Sequence, residues 1–190
     1  MTLSLPRRRS VAALLRRELV TEEDAATSAL MARVGEARRR GFISRGEFLA
    51  MCRWKSPRAL RHYQRNAAGR IREASRRALA ARSERRRMEH LLALDGVSVP
   101  VASAILTLLD PRRYGVLDIR AWQMLYAMRG VDANPAGRGF TVGQWLRYLE
   151  TLRSHARRLR ASARAVEYTL FLCHRKRQRG RLHDPQRKRR

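Results

Sequence analysis

Apolar residues recur at three- and four-residue steps along most of this chain, the spacing that gathers them on one face of an α-helix. From Ser10 to about Arg40 the series Val11, Leu14, Leu15, Leu19, Leu30, Met31 and Val34 runs between Arg and Glu positions, which predicts an amphipathic helix broken near Thr21. Ser44 followed by Glu47 forms a capping-box signature ahead of Phe48, Leu49, Met51 and Cys52. A short helix is therefore expected to about Trp54, ended or restarted by Pro57. Two more follow over residues 57–64 and 66–81, the second with Asn66 as its N-cap, and another over 84–94.

Residues 91–128 form the least charged stretch and are expected to build the core. Pro100 suits the first turn of a helix, where a missing N–H costs nothing, and that helix should end at Leu109 before Asp110-Pro111. Residues 95–99 then make a tight turn between two helices. A further helix begins at or just after Asp118 and stops near Gly130, ahead of a loop dense in Gly, Pro and Asn. Thr141 with Gln144 is a second capping box, opening a long helix through Trp145, Leu149 and Leu152 toward Leu159, and Ala165 to Cys173 reads as an apolar terminal helix. No segment alternates as a strand does. The expected fold class is all-α, a two-lobed helical domain over residues 1–174 with a helix-hairpin-helix motif at about 89–109. Residues 175–190, basic and without apolar periodicity, are expected to be a disordered tail.

Charge changes the picture. Forty-three Lys and Arg against sixteen Asp and Glu leave a formal +27, and only Lys55, Lys176 and Lys188 are lysines. Polyanions are the natural partners, and arginine's planar fork suits phosphate. The Arg-to-Lys ratio follows coding bias as readily as function, whereas the net excess over acids does not. Nucleic acid is favoured over a membrane surface. Two cysteines, Cys52 and Cys173, are too few for a disulfide framework or a four-thiolate metal site, so a reducing cytoplasm is expected. No apolar run approaches the ~20 residues a bilayer-spanning helix needs, and the first residues lack a signal peptide's uncharged stretch.

The turn at Gly96-Val97-Ser98-Val99 would aim backbone N–H groups outward at a helix start, where the helix dipole also favours an anion such as a phosphate. Gly96 permits the sharp turn and a close approach. An ordinary helical hairpin whose glycine serves only the turn explains these residues equally well. The stretches LDGVSVPVASAIL and DPRRYGVLDIRAW together resemble the helix-hairpin-helix DNA glycosylase superfamily, nearest its adenine and thymine-mismatch branch. In that family a glycine hairpin leads an Ala- and Ile-rich helix, followed by a short loop and an aspartate. Asp118 stands 22 residues after Gly96, matching that arrangement, and the resemblance covers residues 89–125.

The resemblance implies that Asp118 is the catalytic carboxylate of an N-glycosidic bond cleavage. It would stabilise positive charge developing on the sugar and orient the water that captures it. The target base would first leave the stack. The resemblance also implies that Gly96, Val97, Ser98 and Val99 hold a DNA phosphate. Asp118 is equally an ordinary N-cap. Ser98 replaces the hairpin's second glycine, and Pro100 lies near the place where bifunctional relatives carry a lysine, so no lyase step through a hairpin lysine is expected. The expected activity is that of a monofunctional glycosylase. The cysteine count leaves no place for an iron-sulfur cluster, and no cofactor or metal is expected.

Residues 51–66 interleave Trp54, His62 and Tyr63 with Lys55, Arg58, Arg61 and Arg65, a composition suited to stacking on a base and gripping phosphates. Trp54 and Tyr63 are the candidates for a base pocket; Lys55, Arg58 and Arg120 are candidates for DNA contact. Trp122 and Trp145 are read as packing. The expected partner is double-stranded DNA, bound by a monomer in the cytoplasm at the nucleoid. Two other readings stay open: a noncatalytic DNA-binding protein and a basic helical RNA-associated protein.

Overall fold

Side-chain caps start seven of the eleven α-helices among the described residues, and the structure shows both capping boxes closed. Ser44 Oγ accepts from the Glu47 amide while the Glu47 carboxylate accepts from the Ser44 amide, and Thr141 and Gln144 do the same. The computed structural model describes residues 2–3 and 10–179. The helices are α1 (Val11–Glu18), α2 (Ala25–Val34), α3 (Glu36–Arg40), α4 (Arg45–Lys55), α5 (Leu60–Tyr63) and α6 (Ala68–Ala80). They continue as α7 (Glu84–Leu92), α8 (Val99–Leu109), α9 (Ile119–Ala127), α10 (Val142–Leu159) and α11 (Ala163–Arg177). A 3-10 turn at Pro57–Ala59 joins α4 to α5. Thr2–Leu3 and Gln178–Arg179 form a two-residue antiparallel pairing, β1 with β2. The fold class is all-α.

The centre is α8, where every residue except Pro100 is buried. A helix apolar on all sides needs neighbours all round, and α2, α4 and α7 supply them. Packing falls into two groups. In one, α2, α4 and α7 lie on α8 with α6 on α7; in the other, α9, α10 and α1 lie on α11. Trp122 and Trp145 are buried in the core, as expected of packing residues.

Two expectations need correcting. Asn66 does not cap α6, whose N-cap is Ala67 with no side-chain bond. Instead the buried Asn66 amide donates to the Asp95 carbonyl at 3.0 Å and accepts from the Asp95 N–H at 2.9 Å, pairing with the α7–α8 turn as a backbone segment would. The terminal helix also runs further than Cys173. It continues to Arg177 because that guanidinium reaches both the Cys173 carbonyl and Glu18 on α1, so the helix takes in the first residues expected of the tail. Residues 180–190 of that tail lie outside the described residues.

Gly96 adopts φ +79, the left-handed region. A Cβ there would stand 2.7 Å from His62 Cβ and 3.0 Å from Tyr63 Cδ1. The missing side chain thus makes room for α5. Gly96→Ala is expected to cost about 1–3 kcal/mol by strain and overpacking, read as a lowered urea midpoint with no nucleic acid present. An unchanged midpoint would mean that the turn tolerates a side chain.

Candidate active site

Residues 110–118, between α8 and α9, are fastened at successive positions. The Tyr148 hydroxyl donates to the Val116 carbonyl at 2.9 Å, the Leu117 amide donates to Ser103 Oγ at 2.8 Å, and the Val116 amide donates to Glu167 Oε2 at 3.2 Å. Gly115 lets this strand of backbone lie against α10 and α11, since a Cβ would meet Leu152 Cδ1 at 2.5 Å and Glu167 Cβ at 2.8 Å. The segment delivers Asp118 to a fixed place. Its Oδ1 accepts from the Arg120 amide at 2.9 Å, capping α9, and its Oδ2 accepts from Lys55 Nζ at 2.8 Å.

Lys55 is the last residue of α4, and its side chain is 15% exposed. The pair lines a cavity of about 440 Å³, within the ~300–1,000 Å³ range of small-molecule sites. The cavity lies on the seam between the two helix groups. Asp24, Thr27, Trp54 and Lys55 come from one side; Val116, Asp118 and the α11 residues Arg164, Glu167, Tyr168, Phe171 and Arg175 come from the other. Trp54 is held by a 3.0 Å bond from its Nε1 to Thr27 Oγ1. Tyr168 and Phe171 lie near-parallel, with centroids 6.1 Å apart.

Burial alone would raise the Asp118 carboxyl, but the Lys55 ammonium and the Arg120 amide hold it below its ordinary value, so it is ionised at neutral pH. For Glu167 burial prevails over the Arg164 charge, and the negative charge of Asp118 adds to the rise. Behind them His174 is completely buried, its Nε2 3.1 Å from Gln123 Oε1. Burial first, then the Arg120 charge, push His174 down to about 4.

The chain matches no known family model, curated protein or solved structure. Among the described residues, no cluster of His, Cys, Asp and Glu could hold a metal ion, and no helix is long and apolar enough to cross a membrane.

The structure sorts the residues singled out in the sequence. Asp118, Lys55 and Trp54 come together in the cavity. Lys55 is not an outward phosphate contact, because it turns inward onto a carboxylate. Tyr63 is no wall of this cavity; it is buried in the core, edge-on to Phe48 at 6.2 Å. Arg120 lies over the Phe171 ring at 5.5 Å, and its Nε is buried with no hydrogen-bond partner among the described residues. Arg58 is exposed on the 3-10 turn. Val97 and Val99 pack inward while Gly96 and Ser98 are exposed. The Ser98 hydroxyl caps no amide of α8, so the first-turn N–H groups are not satisfied by a side chain. The sequence reading missed Arg164, Glu167, Tyr168 and Phe171. Their spacing, with Arg175, is one helical face on which charge and aromatic rings alternate, and that signal was legible.

The acid side of the stability profile follows. Asp118, with a depressed native value, contributes stability above its unfolded value that is lost as pH falls through the folded one. His174 resists in the native state a proton that the unfolded chain accepts, so stability also falls between pH 6.5 and about 4. Urea midpoints should decline across that window, and His174→Gln should flatten the decline; an identical slope in the variant would clear His174 of any part in it.

Proposed function

We propose that this protein is a DNA glycosylase of the helix-hairpin-helix type whose cavity receives a base extruded from duplex DNA, with Lys55 as nucleophile and Asp118 as the stabilising carboxylate. What carries the reading is the 2.8 Å Lys55–Asp118 pair lining a cavity with aromatic walls in a chain of charge +27. An amine beside a carboxylate gives an imine-forming cleavage its nucleophile and a charge to offset that on the sugar. Lys55 Nζ, having given one ammonium proton to water, attacks C1′; the C1′–N bond breaks with its electron pair going to the base, and the base leaves with a proton from water. The sugar then opens to an imine on Nζ, which water hydrolyses to regenerate the amine. Asp118 offsets the positive charge on C1′ as the base departs.

This reading departs from water-only hydrolysis, and it needs no lysine on the turn. The fold gives support from its charge distribution. Acidic groups are consumed internally: Glu84 alone takes Arg87, Arg113 and Arg153. Surface arginines such as Arg58, Arg61 and Arg65 are exposed on the segment that runs from Lys55 to the neighbours of Gly96. That segment joins cavity to turn, so a single DNA strand could lie along both, with a phosphate at the first-turn amides of α8.

Sodium borohydride should trap the protein covalently on duplex DNA bearing an abasic site, and Lys55→Met should abolish the adduct. Asp118→Asn should cut base release by at least ~10²-fold while leaving DNA affinity intact. Alkali-labile sites formed without trapping would instead indicate that water is the nucleophile. Binding with neither product would identify a noncatalytic DNA-binding protein, and equal binding of structured RNA a general cationic binder.

A further inference from the structure

Away from the cavity, positive charge gathers at one end of the hairpin. α7 leads into the 93–98 turn and α8 leaves it, so the start of α7 and the end of α8 lie about 13–16 Å from that turn, a helix length away. Those far ends meet. Glu84, the first residue of α7, takes Arg113 Nη2 at 2.9 Å and the Tyr114 hydroxyl at 2.8 Å, both from the chain just after α8. α10 joins them through Arg153, whose guanidinium reaches Glu84 at 2.8 Å and the Arg113 carbonyl at 2.9 Å. The turn from α10 into α11 lies alongside, with the Ala163 amide donating to the Arg112 carbonyl at 3.1 Å. These contacts make one continuous rear surface.

Around Glu84, Arg82, Arg85 and Arg86 at the start of α7 and Arg157, Arg158 and Arg160 at the end of α10 are exposed, and none makes an ion pair among the described residues. The acid at the centre has nothing left for them: Glu84 already holds Arg87, Arg113 and Arg153. Asp110, nearby, is taken by Arg38 at 2.9 Å. The next acids along the two helices, Glu89 and Glu150, are exposed about one turn beyond Arg86 and about two turns before Arg157, and so bound the patch. His155 on α10 adds no charge at neutral pH, because burial and then the Arg158 charge hold it below its ordinary value. Guanidinium groups crowded in this way with their acids consumed present a strong positive potential to a polyanion. Tyr114 is only 4% exposed, lying under Arg113 at 5.5 Å and Arg153 at 5.1 Å, so its ring offers no face to a base. Charge without an open ring suits the backbone of a duplex better than a single strand, whose bases stack.

We propose that the surface around Glu84 binds the sugar-phosphate backbone of a second DNA duplex, so that one protein molecule joins two. This rests on the reading that the turn and the cavity hold the first duplex. Segment 110–118 runs between the two surfaces: Arg113 stands at the rear, Val116 and Leu117 pass through the interior, and Asp118 emerges at the cavity. One short duplex does not serve both, because DNA is stiff over about 150 base pairs and the surfaces lie at opposite ends of the α7–α8 pair. The rear contact is made by guanidinium forks to phosphates. It is therefore indifferent to base sequence and falls steeply with salt.

The test uses the full chain with duplexes of about 12 base pairs, roughly 40 Å long and too short to bend around the protein. Sedimentation at duplex excess should show one protein carrying two duplexes, and the protein should capture a labelled duplex onto an immobilised one. Combining Arg85→Gln, Arg86→Gln, Arg157→Gln and Arg158→Gln should lower that capture by about 10-fold or more and flatten its slope of log K against log salt by roughly 3. The same variant should keep its melting temperature, bind a single duplex and be trapped by borohydride on an abasic site as the unaltered chain is. One duplex per protein at excess, or a two-duplex complex containing two protein copies, would overturn the proposal while trapping left the first surface standing. Equal loss of capture from Arg16→Gln with Arg33→Gln, on α1 and α2, would overturn it as well, since net charge alone would then be responsible. Capture of structured RNA but not of DNA would do the same. Two duplexes per protein without base release or trapping would keep the rear surface and remove the glycosylase reading.

Discussion

One carboxylate does two jobs whose geometries have to agree. Asp118 can hold Lys55 only where it also ends the fastened segment 110–118 and starts α9, because one of its oxygens caps the helix and the other meets the ammonium. The backbone therefore sets the carboxylate, and the carboxylate sets the amine. Lys55, at the last turn of α4, is drawn across the seam between the two helix groups by this contact, 63 residues distant in sequence. A side chain with four rotatable bonds loses much freedom on being so held, and the charge-assisted bond offsets that loss.

The wall opposite is organised by Arg164. Its guanidinium joins Glu23 near the start of α2 to Glu167 on α11 and lies 4.6 Å over the Tyr168 ring and 5.9 Å from that of Trp54. Arginine is suited to this place because its fork and its face are used at once. The guanidinium thus faces both aromatic rings that line this side of the cavity, with Trp54 also packed against the core and bonded to Thr27.

Local features of the chain were readable because their causes are local. Ser44 with Glu47 and Thr141 with Gln144 identify helix starts through bonds spanning three residues, and Pro100 fits a first turn for the same reason. Trp122 and Trp145 sit on apolar faces that periodicity reveals. Asn66 was misread since its cap-like position is only a preference, whereas the Asp95 peptide, 29 residues on, offers it two bonds at once. Gly96 was placed correctly in a turn, but its neighbour in space, His62, lies in another helix. The meeting of Lys55 with Asp118 has no periodic signature, whereas Glu167 shares with Arg164, Phe171 and Arg175 a helical face that their spacing displays. Polar residues brought together by tertiary contact leave only the trace of being expensive where they stand.

That expense bears on why the seam has not filled with leucine. Lys55, Asp118, Arg164, Glu23 and Glu167 are all removed from water to a large degree, and well-packed apolar residues of similar volume would often be as stabilising or more so. α8 demonstrates that this chain can build such packing, since it is apolar on every side within 11 residues. The ionic seam is thus a local choice and not a limit of composition. An ionic network bordering an open volume flanked by aromatic rings stabilises a fold no more than well-packed apolar residues often do, so stability alone does not account for the composition of this seam.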